Sequence, residues 1–96
     1  MSEAGYMALV RDNAAARRFE MEEGGHVVFA DYRRVGGRLI IDHVEAPPVL
    51  RGTGAAERFM EGLAAEARTA REKIVPLCGY AAAWLHRHAE HRDLIA

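Results

Sequence analysis

The stretch RLIIDHVEAPPVLRGTGAAERFMEGLAAEAR, residues 38–68, changes period halfway along its length, and that change decides the architecture. LIIDHVE, residues 39–45, is rich in branched apolar residues and reads as a strand. From Ala56 onward Phe59, Met60, Leu63, Ala67 and Ala70 recur at three- and four-residue steps, with Glu57, Glu61, Arg68 and Glu72 set to one side. This spacing predicts a long amphipathic helix. KIVPL, residues 73–77, follows as a short apolar run ended by Pro76. Strand, long helix and strand form a right-handed crossover unit, so KIVPL is expected parallel to LIIDHVE in one sheet. YAAAWLHRHAEH, residues 80–91, suits a second helix with Trp84 packed in the core.

Upstream the period is two. In RRFEME, residues 17–22, Phe19 and Met21 alternate with Arg18, Glu20 and Glu22, the pattern of a strand with one buried face. Gly24–Gly25 leads into the strand-like HVVFADYRR, and Gly36–Gly37 leads into RLIIDHVEA, so tight hairpins are expected at both pairs. Residues 16–46 then form a three-stranded antiparallel meander, with YMALVRD, residues 6–12, as a candidate fourth strand. The expected fold is α/β: a mixed sheet of three to four antiparallel strands, a crossover helix, a parallel strand and a C-terminal helix. The N-terminal tail and HRDLIA, residues 91–96, are expected to fray.

Composition limits the function classes. The 96 residues can build one core, so residues 1–96 are read as a single domain. Thirteen Lys and Arg against fourteen Asp and Glu give a net charge of -1, which disfavours a nucleic-acid binder. The arginine pairs Arg17–Arg18 and Arg33–Arg34 read as solvated strand faces. A single cysteine, Cys78, excludes an internal disulfide, and the N-terminus has no long apolar run of the kind a signal segment needs. The longest apolar run, YAAAWL, falls well short of the roughly 18 residues of a membrane span. A cytoplasmic protein is the expectation.

The loop between strand and helix, PPVLRGTG at 47–54, occupies the place where ligands of open α/β sheets bind. Pro47 and Pro48 keep the approach out of the sheet. Gly52 and Gly54 let the backbone turn so that several N–H groups point at one centre, and the helix dipole adds positive potential there. An anion suits that arrangement, although a plain turn capped by Thr53 would use the same residues. Two nucleotide fingerprints fail: Ala55 and Ala56 stand where a Walker loop needs Lys and Ser or Thr, and Glu57 stands where the dinucleotide pattern needs its third glycine.

What the loop does match is R-x-x-G-x-A, in Arg51-Gly52-Thr53-Gly54-Ala55-Ala56, which resembles the acyl-CoA pyrophosphate loop of the GNAT superfamily of N-acetyltransferases. LIIDHVEAP before it and VPLCGYAAAWLHRHAEHRDL after the helix look like the compact subgroup of that superfamily, over most of residues 16–95. The resemblance implies a minimal GNAT fold and acetyl-CoA or CoA as cofactor. It implies that the backbone of Val44, Glu45 and Ala46 pairs with the pantetheine arm. It implies that Val49 and Leu50, which lead into the loop, also contact the cofactor, and that the amides of Arg51, Gly52, Thr53, Gly54, Ala55 and Ala56 take the pyrophosphate. The helices and hairpin that build the acceptor site in larger members have no counterpart here, so the acceptor side is expected open or completed by a partner, a homodimer being one route.

Four side chains are candidates for the chemistry. His43 near the strand end is either the base that takes the amine proton or a histidine bonded within the sheet. Glu45 resembles the acidic base that some members use through water. Cys78, at the start of the second helix, either carries the acetyl group transiently, lines the thioester pocket or is a small buried hydrophobe. Tyr80 occupies a position like that of the tyrosine which protonates the leaving thiolate, or is a core aromatic. His86, His88 and His91 with Cys78 hold zinc-type atoms, but only His88 and His91 share a helix face, and no metal is expected. The function read from the chain is acetyl transfer from acetyl-CoA to a primary amine, of a small molecule or a protein. The alternative is a non-catalytic CoA-binding module that acts as a sensor or a complex subunit.

Overall fold

A computed structural model describes residues 9–96. Its strands are β1 (Arg11–Asn13), β2 (Arg18–Glu23), β3 (His26–Val35), β4 (Arg38–Glu45) and β5 (Lys73–Pro76). Its helices are α1 (Ala55–Ala70) and α2 (Gly79–Arg87), with short 3-10 turns at Ala14–Ala16, Pro48–Leu50 and Ala89–Leu94. The five strands form one sheet in the order β1-β2-β3-β4-β5. The first four run antiparallel, and β5 joins β4 in parallel at Leu39↔Ile74 and Ile41↔Pro76. The sheet is the mixed α/β arrangement expected from the period change.

Both glycine pairs close two-residue hairpins with positive φ at each glycine, 58° and 79° in the first and 57° and 79° in the second. Such turns match the twist of the strands that they join. Phe19 and Met21, then Val28, Ala30 and Tyr32, then Leu39 and Ile41 are all buried, and each set alternates. They lie on one face of the sheet with Ile74, and α1 and α2 complete the same core cluster. Trp84 Nε1 on α2 donates to Glu57 Oε1 on α1 at 2.9 Å, which ties the two helices together.

The register of β3 with β4 slips once: Tyr32 pairs with Ile41 and Asp31 with His43, leaving Asp42 as the extra residue of a β-bulge. Strict alternation from Ile41 would turn Val44 outward. The bulge returns it to the core side, where it packs against the cluster, and puts His43 and Glu45 on the outer face. On that outer face the Arg18 guanidinium lies 4.2 Å over the ring of Phe29.

Several expectations are corrected. The buried stripe of α1 is Ala55, Phe59, Met60, Leu63, Ala64 and Ala67; Ala56 is only half-buried and Ala70 is exposed. Arg17 is not in a strand but caps the first 3-10 turn with φ 56°. The second helix stops at Arg87 and continues as a 3-10 turn. HRDLIA does not fray: Leu94 is buried, Ile95 forms a bridge with Ile74, and the Ala96 N–H donates to the Ile74 carbonyl at 2.8 Å. Arg33 and Arg34 are exposed on β3, as expected of a solvated strand face, and Arg17 is exposed beside it, while Arg18 is half-buried. Arg33 forks onto Asp42, Arg34 reaches Asp12 and Glu72, and Arg18 is paired with Glu20. The fourth strand is present as β1, while residues 6–8 of YMALVRD lie outside the described residues.

Candidate functional site

The parallel strands part at Ile41. Its carbonyl accepts from both the Leu77 N–H, at 3.0 Å, and the Cys78 N–H, at 3.3 Å, and this is the last contact across the pair. Beyond it Val44 and Glu45 stay bonded to β3 alone, opposite Ala30 and Phe29. The bulge at Asp42 and the parting of the strands therefore fall at the same residue. A cleft of about 190 Å³ opens there, lined by Val44, Ala46, Ala56 and Tyr80. It is smaller than the roughly 300 Å³ at which ordinary ligand pockets begin, so it suits a narrow arm laid between strands rather than a bulky group.

The glycine loop lies at one side of this cleft. Pro48–Leu50 form a 3-10 turn, and the Arg51 and Thr53 N–H groups are turned inward to the Pro48 and Leu50 carbonyls, at 3.0 and 3.2 Å. Thr53 Oγ1 accepts from the Ala55 N–H at 3.2 Å. Among the described residues the amides of Gly52, Gly54, Ala56 and Glu57 have no protein acceptor. They are the groups left to face an anion at the helix N-terminus. Gly54 caps α1 with φ 84°, a conformation that any side chain would strain. The cap is thus backbone, and Thr53 serves it only through Ala55. Arg51 is exposed beside the loop.

The predicted residues divide into two groups. Val44, Ala46, Ala56 and Tyr80 meet at the cleft, and Cys78 is the half-buried N-cap residue of α2, its chain bonded to Ile41. Tyr80 is 38% exposed rather than a core aromatic. Burial, and after it the Glu57 carboxylate, holds its phenol above the ordinary value. The hydroxyl therefore keeps its proton through the neutral range. His43 and Glu45 stand apart from these, exposed on the outer face of β4, with His43 Nε2 2.8 Å from Glu45 Oε1. A neutral imidazole that donates Nε2–H to this carboxylate has Nδ1 as its acceptor. Val49 is exposed and Leu50 half-buried in the 3-10 turn before the loop.

The C-terminal histidines go elsewhere. His88 and His91 both stack on Trp84, at ring distances of 3.9 and 5.4 Å. Among the described residues the group of potential metal ligands that converges is Glu61, Glu90 and His91, which contains neither Cys78 nor His86. Sequence reasoning missed two contributors near the cleft. Glu57 was placed only on a polar helix face, yet it bonds Trp84, faces Arg87 and His88, and acts on Tyr80. Arg58 was not singled out at all, and its partner Glu23 is 35 residues away, a pairing that no local pattern announces.

The sequence model described as GCN5-related N-acetyl-transferase matches residues 18–94. No curated protein matches the chain. Among solved structures, the NMR solution structure of a GCN5-like protein from Staphylococcus aureus superposes with a TM-score of 0.71 at 20% identity, covering 94% of this chain and 89% of that one. At this identity the likeness speaks for the fold.

Proposed function

Because the chain belongs to the GCN5-related N-acetyltransferase family, we propose that it transfers an acetyl group from acetyl-CoA to a primary amine. The observation that carries this reading is the parting of β4 and β5 at Ile41 beside a loop whose Gly52, Gly54 and Ala56 amides have no protein acceptor among the described residues. Acetyl-CoA supplies an acyl group on a thioester. The chain's residues bind and orient it. The Gly52, Gly54 and Ala56 amides and the positive end of α1 face the pyrophosphate, with the Arg51 fork within the same loop. The unpaired edge of Val44, Glu45 and Ala46 receives the pantetheine arm as an added strand.

In the transfer the amine nitrogen forms a bond to the acyl carbon, the carbon–sulfur bond breaks, and two proton movements accompany them. Tyr80 Oη gives its proton to the departing thiolate, a role consistent with a phenol that stays neutral. His43 Nδ1, with Glu45 holding Nε2, takes the proton from an amine that comes to the parted strands from the outer face of the sheet, opposite the cleft that holds Tyr80. Cys78, whose N–H bonds the Ile41 carbonyl where the strands part, either flanks the thioester or receives the acetyl group first and passes it to the amine.

Acetyl-CoA incubated with a panel of small and peptidyl amines, with free CoA thiol as the readout, tests the assignment. Release that rises with one amine class and is lost in His43→Ala or Cys78→Ala supports it. Binding of CoA by calorimetry without turnover on any amine would leave a CoA-binding module, for which the outward position of His43, away from the cleft, is the favouring observation. No heat on adding CoA would remove the cofactor from the reading.

A further inference from the structure

One residue outside the glycine loop grips it from below. Arg58 Nε and Nη2 donate to the two carboxylate oxygens of Glu23, each at 2.7 Å, and Nη2 donates also to the Thr53 carbonyl at 3.1 Å. The Arg58 backbone N–H takes the next carbonyl, that of Gly54, at 3.0 Å. A Cβ at Gly54 would come within 2.9 Å of Arg58 Nη1, so the guanidinium is seated against the loop. Glu23 is the last residue of β2 before the first glycine hairpin, which makes the sheet the anchor of this fork.

The consequence follows from peptide geometry. In a trans peptide the C=O and the N–H of one unit point in opposite directions. Holding the Thr53 carbonyl against Arg58 therefore aims the Gly54 N–H away from Arg58, into the space where an anion would sit. Loop amides owe their value as anion donors to being fixed in advance, because a floppy loop spends binding free energy on ordering itself.

We infer that Arg58, held by Glu23, is a positioning residue that fixes the Gly54 amide of the phosphate-binding loop toward its ligand. The identity of that ligand rests on the acetyl-CoA reading above. Glu23 neutralises the guanidinium and occupies its fork, so Arg58 acts through the loop backbone rather than as a phosphate contact.

The test compares wild type with Arg58→Ala, Arg58→Lys and Glu23→Gln. In the free proteins, amide hydrogen exchange is read at Thr53 and Ala55, whose N–H groups bond within the loop. Calorimetry with CoA is then run at several salt concentrations. Arg58→Ala should lose protection at both amides and weaken CoA binding by about tenfold, with the salt dependence unchanged because no phosphate contact has gone. Arg58→Lys should recover only part of the loss, since an ammonium cannot fork Glu23 and hold Thr53 at once. Glu23→Gln frees the guanidinium without removing it and should show a smaller loss of the same protection, which serves if Arg58→Ala does not fold. Unchanged protection at Thr53 and Ala55 would overturn the inference. So would a salt dependence that falls along with affinity, because Arg58 would then be touching the phosphates. If wild type gives no heat with CoA, the cofactor reading falls while the exchange data still judge the brace.

Discussion

Gly54 and Tyr80 show how much of this site depends on single atoms. At Gly54 the backbone sits at φ 84°, so strain opposes any side chain, and a Cβ there would come 2.9 Å from Arg58 Nη1 and displace the end of that side chain. Gly54→Ala is expected to destabilise the fold by about 1–3 kcal/mol, read as a shift in urea midpoint, and to weaken CoA binding more than the fold. Tyr80 tests chemistry rather than shape. Tyr80→Phe keeps the cleft lining and removes the proton, so kcat should fall about a hundredfold or more while CoA binding by calorimetry stays within a few-fold. A kcat unchanged in Tyr80→Phe would return Tyr80 to the role of a wall. The raised phenol value fixes the sign of its pH behaviour: the donor is present at neutral pH and is lost only as pH climbs past the ordinary phenol range near 10.

Among the elements, α1 and the hairpins carry the stability. Leu63 is fully buried in the stripe that faces the sheet, so Leu63→Ala should cost about 2–5 kcal/mol in chemical denaturation. The hairpins contribute through charge. Hydrogen bonds from Asn13 and Arg18 hold the Glu20 carboxyl below its ordinary value, Arg58 does so for Glu23, and Arg33 for Asp42. A folded value below the unfolded one means stability that is complete above the ordinary carboxylate range and is lost as pH falls through the folded values. The urea midpoint should therefore drop between about pH 5 and pH 3, and Glu20→Gln should flatten that drop. The elements themselves were legible because their signals are local: paired glycines for the hairpins, alternation at Phe19 and Met21, three- and four-residue steps at Phe59, Met60 and Leu63. The bulge at Asp42 has no such signal. It contains no glycine and exists to bring Val44 back to the core after Ile41, a demand set by the whole sheet. The docking of Leu94 and Ile95, and the Glu23–Arg58 fork, are likewise contacts between distant parts of the chain.

At the level of the whole molecule, every buried strand residue faces the two helices, and the opposite face of the sheet is uncovered among the described residues. An uncovered sheet carrying Phe29, Val27 and Ile40 is a surface on which copies of a protein can meet and precipitate. Arg18, lying over Phe29 and salt-bridged to Glu20, stands guard there. Its worth should appear in colloidal behaviour rather than in folding. Arg18→Ala is expected to change the urea midpoint little at neutral pH, since Glu20 keeps Asn13 and Arg11 as partners, yet to lower the concentration at which the protein stays in solution, measured by light scattering. A variant as soluble as wild type would mean that the neighbouring charges alone keep this face apart from its copies. On this expectation a guanidinium that looks like a minor surface contact sets how concentrated the protein can become before it associates with itself.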